Sequence, residues 1–276
     1  GRVGRCATRA IWTRAASNDH QPDADNLNQP LKDSLKNLAT ILLNAPPRSL
    51  TLNYMGRRAI IYTDAFFKLG EQCVKIGQAR ALEHWDVSQV TENGWGFIVI
   101  PDHSKPHIGF TMFGTVPLAI VKLFSGTKAF IYFLEALAAI IAPMMLRPLL
   151  PEHYISFIDN EAAKFALIKG YGKQVRVNQL IATFWNFISA NQLSPWIERV
   201  SSGANWADSV SRDDFSLAKQ KGWIRLRPRL NHVWPILHKI AIDAGFAHGR
   251  GQEDLANMLQ ATVAGQLAAR GFIKPA

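Results

Sequence analysis

Four acidic residues stand out in the sequence because of the segments around them. Asp64 ends the apolar run IIYTD, Asp159 ends the apolar run YISFID, and Glu135 lies inside the apolar stretch YFLEALAAIIA (132–142). Asp208 belongs to NWADSVSR, where we expect the first turn of a helix. Converging carboxylates repel one another unless cations neutralise them, and their hard oxygen atoms suit Mg²⁺ or Mn²⁺. Two such ions about 4 Å apart can promote the hydrolysis of a phosphodiester bond.

Glu135 is the acid that local structure explains least well. Residues 130–142 are otherwise apolar on every side of the expected helix, so no polar face exists for its carboxylate. A buried carboxylate usually shifts its pKa, finds a partner or binds a metal. The aspartates each have a local alternative. Asp64 could end its strand in a turn, Asp159 could cap the helix that follows, and Asp208 could belong to a variant capping box.

Five predicted strands, with helices before, between and after them, must position these acids. Apolar and β-branched runs bounded by turn residues predict strands at 59–63, 95–100, 107–113, 154–158 and 196–200. Helical periodicity predicts helices at 31–43, 130–142, 161–170, 176–192 and 253–269, and a further one that opens at NWADSVSR. We expect the first three strands to be antiparallel neighbours and the fourth to lie parallel beside the first. The fold class is therefore α/β, a mixed five-stranded sheet with helices on both faces.

The chain is basic, with 31 Lys and Arg residues against 21 Asp and Glu residues, a net charge of +10 and a pI near 9.8. This surplus favours a polyanionic partner, with nucleic acid ahead of an anionic membrane, although a solvated basic surface is the alternative. Its two cysteines, Cys6 and Cys73, cannot form a disulfide framework or a closed zinc site, so we expect a reducing intracellular compartment. The most apolar window, 130–146, contains Glu135 and Pro143 and is shorter than about 20 residues, so we expect no membrane insertion.

Composition divides the chain into three regions. Residues 1–30 form a basic N-terminal arm, whose first eighteen residues contain four arginines and no acid. That composition fits an organellar transit segment or an arm that contacts phosphates, and the initial glycine indicates a chain that was processed, trimmed or cut from something longer. Residues 31–218 form the main domain, with an insertion at about 66–93. Residues 219–276 form a basic and helical C-terminal extension.

The segments YTDA, FLEALAAI, FIDNEAAKFALIKGY and WIERVSSGANWADSVSR resemble the ribonuclease H domain of retroelement reverse transcriptases. Within that family the likeness is to DIRS-like and protist elements. It extends over residues 31–222 and includes no polymerase motif. The resemblance implies a ribonuclease H-like fold in which Asp64, Glu135, Asp159 and Asp208 are the catalytic residues and hold two Mg²⁺ or Mn²⁺ ions.

The resemblance also implies a surface that binds RNA or an RNA–DNA hybrid. We expect Asn160, Arg199 and Arg212, which lie within the matching motifs, to contact the nucleic acid. The following segment, AKQKGWIRLRPRLNHVWP, interleaves basic and aromatic residues that can contact phosphates and stack on bases, although a solvated linker is an alternative. Its candidate nucleic-acid-binding residues are Lys219, Lys221, Trp223, Arg225, Arg227 and Arg229.

Two functions follow, and the four acids favour the first. The first is metal-dependent endonucleolytic hydrolysis of the RNA strand in RNA–DNA hybrids. The second is a domesticated, non-catalytic ribonuclease H fold that serves as a structural RNA-binding subunit of a large ribonucleoprotein, such as a ribosome in the mitochondrial matrix. The basic ends, the insertion and the lack of a polymerase favour the second. The bulky rings of Phe66 and Phe67, with the inserted loop beside the site, could obstruct a duplex or change what binds. In that role the apolar stripe of the last helix would either pack on its own domain or dock on a partner protein.

Overall fold

The computed structural model describes residues 2–16, 27–44, 55–73, 85–124, 129–172 and 174–274. These residues form a mixed β-sheet that is flanked by helices on both faces. The strands are β1 (Arg58–Leu69), β2 (Gln72–Cys73), β3 (Val90–Ile100), β4 (Phe110–Gly114), β5 (His153–Ile158), β6 (Ser194–Arg199) and β7 (Ile224–Arg225). The helices are α1 (Arg2–Ala16), α2 (Gln29–Asn44), α3 (Leu118–Lys122), α4 (Ala129–Met145), α5 (Glu161–Lys169), α6 (Val175–Ala190), α7 (Ala207–Ser211), α8 (Ser216–Lys221), α9 (Val233–Ile242), α10 (Ala244–His248) and α11 (Gly251–Ala268).

Six strands of the sheet follow the order β6-β5-β1-β3-β4-β7, and a seventh, the two-residue strand β2, pairs with the end of β1. β1, β3 and β4 are antiparallel neighbours, whereas β5 lies parallel to β1 and β6 lies parallel to β5. All five predicted strands are present with the predicted pairing. The predicted number of five is wrong because β7 adds an edge strand beside β4. β7 contains only two residues, which is too short to produce an alternating sequence pattern.

The predicted insertion at about 66–93 differs from the structure at both ends. β1 continues to Leu69, and its pairing with β3 places Phe66 opposite Gly94 and Phe67 opposite Asn93. Phe67 is buried, with its ring against those of Trp85 and Phe130, so the extension of the hairpin belongs to the core. Residues 74–84 of the predicted insertion lie outside the described residues.

Helix α4 explains why its sequence is apolar on every side. It packs on β1 and β3, and its remaining surface is covered by α5, α6 and α11. Almost all of its described side chains are buried, and the helix continues two residues beyond Pro143 to Met145. The helix predicted at 130–142 is therefore confirmed as the centre of the main hydrophobic core. A carboxylate in its middle must face the sheet or another helix rather than water.

Both predicted terminal regions pack on this core. α1, which includes much of the predicted N-terminal arm, packs against α2 and α6, while residues 17–26 lie outside the described residues. The apolar stripe of α11 packs against α4, α6 and α9, with Met258 partly buried and its other members buried: Leu255, Leu259, Val263 and Leu267. Among the helices that the structure describes, none has the length and apolar character needed to cross a membrane.

We expect Leu259→Ala to lower the free energy of unfolding by about 2–5 kcal/mol, because it leaves a cavity in the core that α11 shares with α4. The matched control is Leu42→Ala on the exposed side of α2, which should change that free energy by less than about 0.5 kcal/mol. Urea denaturation followed by circular dichroism measures both. Equal, small effects for the two variants would show that α11 is not part of the core.

Candidate metal centre

Two parallel strands bring two of the predicted acids together. The pairing of β1 with β5 ends where Thr63 lies opposite Ile158, so Asp64 and Asp159 are the next residues on the two neighbouring strands. Helix α4 packs across β1 and carries Glu135 to the same place. One carboxylate oxygen from each of the three acids lies within 4.8 Å of the other two. These three residues form one cluster, which we call the acidic triad.

Two oxygens of the acidic triad have no hydrogen-bond partner among the described residues. Glu135 is only 1% exposed, and its Oε2 atom is unpaired. The Oδ1 atom of the partly buried Asp159 is unpaired as well. A buried polar atom without a partner is costly, and such atoms commonly mark the place of an ion or water. Because three carboxylates also provide the all-oxygen donor set of hard cations, the acidic triad can hold a divalent metal ion.

Burial and mutual repulsion raise the pKa of all three carboxyl groups. Burial raises the pKa of Asp64 to about 7, and the charges of Asp159 and Asp208 add to this shift while a hydrogen bond from Ser211 opposes it. Burial also raises the pKa of Glu135 well above its ordinary value, with further contributions from the charges of Asp64 and Asp159. The pKa of Asp159 is raised, mainly by burial. These carboxyl groups therefore hold their protons to a higher pH than ordinary carboxyl groups do, and a bound cation would favour their ionised forms.

Three polar residues that the sequence analysis did not assign hold the triad in place. Ser211 Oγ donates to Asp64 Oδ2 at 2.5 Å. Asn205 Nδ2 donates to Asp64 Oδ1 at 3.3 Å and to the carbonyl oxygen of Thr63 at 2.9 Å. Ser202 Oγ donates to Asp159 Oδ2 at 2.8 Å. All three lie in SSGANWADSVS, within the segment that carries the resemblance. The sequence analysis identified only the acid of this segment, Asp208, as a candidate site residue.

Two glycines of β3 allow α7 to approach Asp64. Gly96 pairs with Asp64 across the ladder, and a Cβ at Gly96 would lie 2.7 Å from the backbone nitrogen of Ser211. A Cβ at Gly94 would overlap the carbonyl oxygen of Ser211. Larger residues at these positions would push α7 away from the sheet, so the glycines are needed for the hydrogen bond between Ser211 and Asp64.

Asp208 lies at the rim of the acidic triad and not within the cluster of three. Its carboxylate forms an ion pair with Arg212 at 3.1 Å, and both side chains are exposed. The Arg212 guanidinium also lies 5.2 Å above the ring of the buried Phe66. Asp208 is nevertheless close enough for its charge to raise the pKa of both Asp64 and Asp159. Its role as a metal ligand stays a prediction.

Two of the residues predicted to contact nucleic acid have buried side chains in this structure. Asn160 is buried, and its Oδ1 atom accepts a hydrogen bond from the backbone N–H of Ala163 as the N-cap of α5. Trp223 is also buried, and its indole N–H donates to the carbonyl oxygen of Pro106 at 2.9 Å. Neither side chain is presented to a nucleic acid. The sequence pattern failed for Trp223 because the ring packs on the side of the sheet that α7 covers.

The other predicted contacts are exposed cations. Arg199 pairs with Glu161 at 3.2 Å, and Arg225 pairs with Asp213 at 2.7 Å. Exposed ion pairs of this kind contribute little to stability, so these cations can exchange their partners for phosphates. The exposed set is Arg199, Arg212, Lys219, Lys221, Arg225, Arg227 and Arg229.

Comparison of the chain with protein-family models gives no match, and comparisons with curated proteins and with solved structures give none either. The case for a function therefore depends on the geometry of the acidic triad and on the resemblance of the surrounding segments.

In metal-free protein, we expect Asp64→Asn to raise stability at pH 8 by up to about 4 kcal/mol. Because the folded pKa of Asp64 is raised from 3.8 to about 7, folding binds a proton in this interval, and the stability of the wild type falls as pH rises through it. The advantage of the variant should therefore shrink as pH is lowered towards 4. Thermal melts in EDTA between pH 4 and 8 measure this difference.

Asp102→Asn is the matched control for that experiment. Hydrogen bonds from Ser104 lower the pKa of Asp102, so this variant should show no gain in stability at pH 8. Adding Mn²⁺ should raise the melting temperature of the wild type and leave that of Asp64→Asn nearly unchanged. A wild-type protein whose stability does not fall between pH 4 and pH 7 would contradict the electrostatic account of the triad.

Proposed function

We propose that this protein is a metal-dependent nuclease of the ribonuclease H type, which hydrolyses the RNA strand of RNA–DNA hybrids. The observation that carries the proposal is the acidic triad itself. Three carboxylates from β1, α4 and β5 converge, and two of their oxygens have no hydrogen-bond partner among the described residues. Buried carboxylates arranged in this way repel one another, and that repulsion is most simply relieved by divalent cations.

The order of strands and acids along the chain supports the ribonuclease H-like part of the proposal. An antiparallel meander of β1, β3 and β4 is followed by the parallel strands β5 and β6. The first acid lies in β1, the second in α4, the third after β5 and the fourth in α7, which is the order that the sequence resemblance implies. The first three acids also lie close together in space, which their order along the chain does not require. This convergence supports the metal-binding roles that the resemblance implies for them.

In this proposal Asp64, Glu135 and Asp159 hold two Mg²⁺ or Mn²⁺ ions. Such ions, when bound, activate a water and stabilise the leaving oxygen of a phosphodiester. The chain itself fixes the ligands: Ser211 and Ser202 orient the two aspartates, and the backbone N–H of Ala65 hydrogen-bonds the carboxylate of Glu135.

We propose that Asp208 becomes a fourth metal ligand when substrate binds and releases it from its ion pair with Arg212. Its present partner, Arg212, has the planar guanidinium that pairs well with phosphate. A phosphate that binds Arg212 would free the Asp208 carboxylate beside the triad. The exposed cations Arg199, Lys219 and Arg225 would contact the same nucleic acid, with the ion pairs of Arg199 and Arg225 opening in exchange.

One observation favours the second candidate, a non-catalytic RNA-binding subunit of a ribonucleoprotein such as a mitochondrial ribosome. Asp64 is 2% exposed, and both of its carboxylate oxygens are hydrogen-bonded, one to Asn205 and one to Ser211. These bonds keep the aspartate in place without an ion. In that role the basic surface would be retained for RNA while turnover would be absent.

We expect the full chain to cleave an RNA–DNA hybrid in Mg²⁺ and to spare duplex DNA and duplex RNA, since the enzyme must sense 2′-hydroxyls on one strand only. Asp64→Asn and Glu135→Gln should each lower the cleavage rate by at least about 100-fold, because charge stabilisation by the metal is lost while side-chain volume is kept. Gel analysis of end-labelled substrates measures the rates. Asp102→Asn, in the turn that follows β3 beside the start of β1, removes the same charge outside the site and should cleave normally.

Binding of Mn²⁺ to the wild type without any cleavage of the hybrid would support the second candidate instead. Normal cleavage by Asp64→Asn would remove the acidic triad from the mechanism. Salt-dependent RNA binding alone decides nothing, because both candidates require it.

A further inference from the structure

A second surface with the chemistry of a nucleic-acid site lies away from the acidic triad. A groove of about 490 Å³ runs between α1 and the turn after α5, and we call it the α1 groove. Two aromatic rings and two guanidinium groups line it, from Trp12, Tyr171, Arg5 and Arg9. None of the described residues that line it is acidic. Its volume lies within the range of roughly 300–1,000 Å³ that small-ligand sites occupy.

The two rings are exposed although ordinary packing would cover them. Trp12 is 70% exposed on α1, and Tyr171 is exposed on the opposite wall of the groove. Arg9 connects the two walls, because its guanidinium donates to the carbonyl oxygen of Gly172 and lies 5.6 Å from the centre of the Tyr171 ring. Arg9 thus connects α1 to the segment that carries Tyr171, and both rings are exposed to solvent. Flat exposed rings of this kind are the usual platforms on which unpaired bases stack.

Positive charge accompanies the rings. α1 contains four arginines and no acid, and the exposed Arg5 has no acidic partner among the described residues. α5 presents the exposed Phe165 with Lys169 5.8 Å from the centre of its ring. This helix begins two residues after Asp159 and ends two residues before Tyr171, so it connects the acidic triad to the α1 groove along the chain. Rings that alternate with cations match a strand of bases and phosphates.

A second cavity adjoins the α1 groove and shares Arg9 and Thr13 with it. It has a volume of about 500 Å³ and lies among α1, α2 and α6. One acid, Asp33, and one further arginine, Arg14, line it together with four side-chain amides, from Asn28, Asn37, Asn178 and Gln179. Amides are the side chains that hydrogen-bond the edges of bases, so the surroundings of the groove suit a nucleotide better than a bare phosphate.

We propose that the α1 groove binds single-stranded nucleic acid, with a base stacked on Trp12 and Tyr171 and the adjoining phosphates bound by Arg5 and Arg9. An anionic membrane fits less well, because α1 already uses one side to pack on α2 and α6. The inference goes beyond the proposed nuclease activity, since a strand can bind here whether or not the acidic triad cleaves it.

The test uses the full chain in EDTA, so that metal-dependent cleavage cannot occur, with fluorescein-labelled 15-mers of U and of dT. Fluorescence anisotropy should give dissociation constants for both strands. Trp12→Ala should weaken binding by about 5- to 150-fold, the range found when a ring that stacks on a base is removed, and Trp12→Tyr should restore most of it. Arg5→Gln should weaken binding and reduce the slope of log K against log salt by about 0.7.

Two matched variants control for loss of an exposed ring or charge elsewhere. Trp196 is 64% exposed on β6, and Arg270 is exposed after α11, so Trp196→Ala and Arg270→Gln should bind the 15-mers like the wild type. Circular dichroism melts should show that all of the variants are folded. Tighter binding of U than of dT would identify RNA as the preferred strand, and the reverse would identify DNA.

The proposal is overturned if the wild type binds neither 15-mer, if Trp12→Ala and Arg5→Gln bind normally, or if the control variants lose as much affinity. Binding only to vesicles that contain phosphatidylglycerol would overturn it in favour of a membrane contact. The nuclease proposal fails separately. If Asp64→Asn cleaves normally while Trp12→Ala still loses affinity for the 15-mers, the metal mechanism is wrong and the α1 groove stands.

Discussion

Repulsion among three carboxylates, two of them buried and one partly buried, is the constraint on which the rest of this structure depends. One carboxylate oxygen from each of Asp64, Glu135 and Asp159 lies within 4.8 Å of the other two, at a largely buried site that little water can reach. The charge of Asp159 raises the pKa of Asp64, and the charges of Asp64 and Asp159 raise the pKa of Glu135. A fold that tolerates such a cluster must either keep protons on it or supply cations. We interpret the cluster as a metal centre because two of its oxygens have no partner among the described residues.

Much of the surrounding architecture fixes this cluster in place. The parallel pairing of β1 with β5 sets the two aspartates side by side, and the apolar surface of α4 forces Glu135 towards the sheet. On the other face, Gly96 lets α7 lie close enough for Ser211 to reach Asp64. The carboxylates are thus held by backbone geometry and by neutral hydrogen-bond donors, which orient them without cancelling their charge.

The sequence predicted the parts of this arrangement that have a local signature. Alternating or apolar runs located the five longer strands, and a single acid in an all-apolar helix identified Glu135. Contacts between distant segments had no such signature. The pairing of β7 and the burial of Trp223 depend on packing against β4 and α7. The role of Ser211 was missed because a serine in a short helix has many local uses, and only the fold shows that it reaches Asp64.

Diffraction from crystals soaked in Mn²⁺, collected at the manganese absorption edge, tests the central claim most directly. The account predicts two anomalous peaks about 4 Å apart among the carboxylates of Asp64, Glu135 and Asp159, with both Glu135 Oε2 and Asp159 Oδ1 as ligands. One peak would support a metal site but not the two-ion mechanism. The absence of any peak at the acidic triad, at a Mn²⁺ concentration that fills other sites in the crystal, would contradict the account.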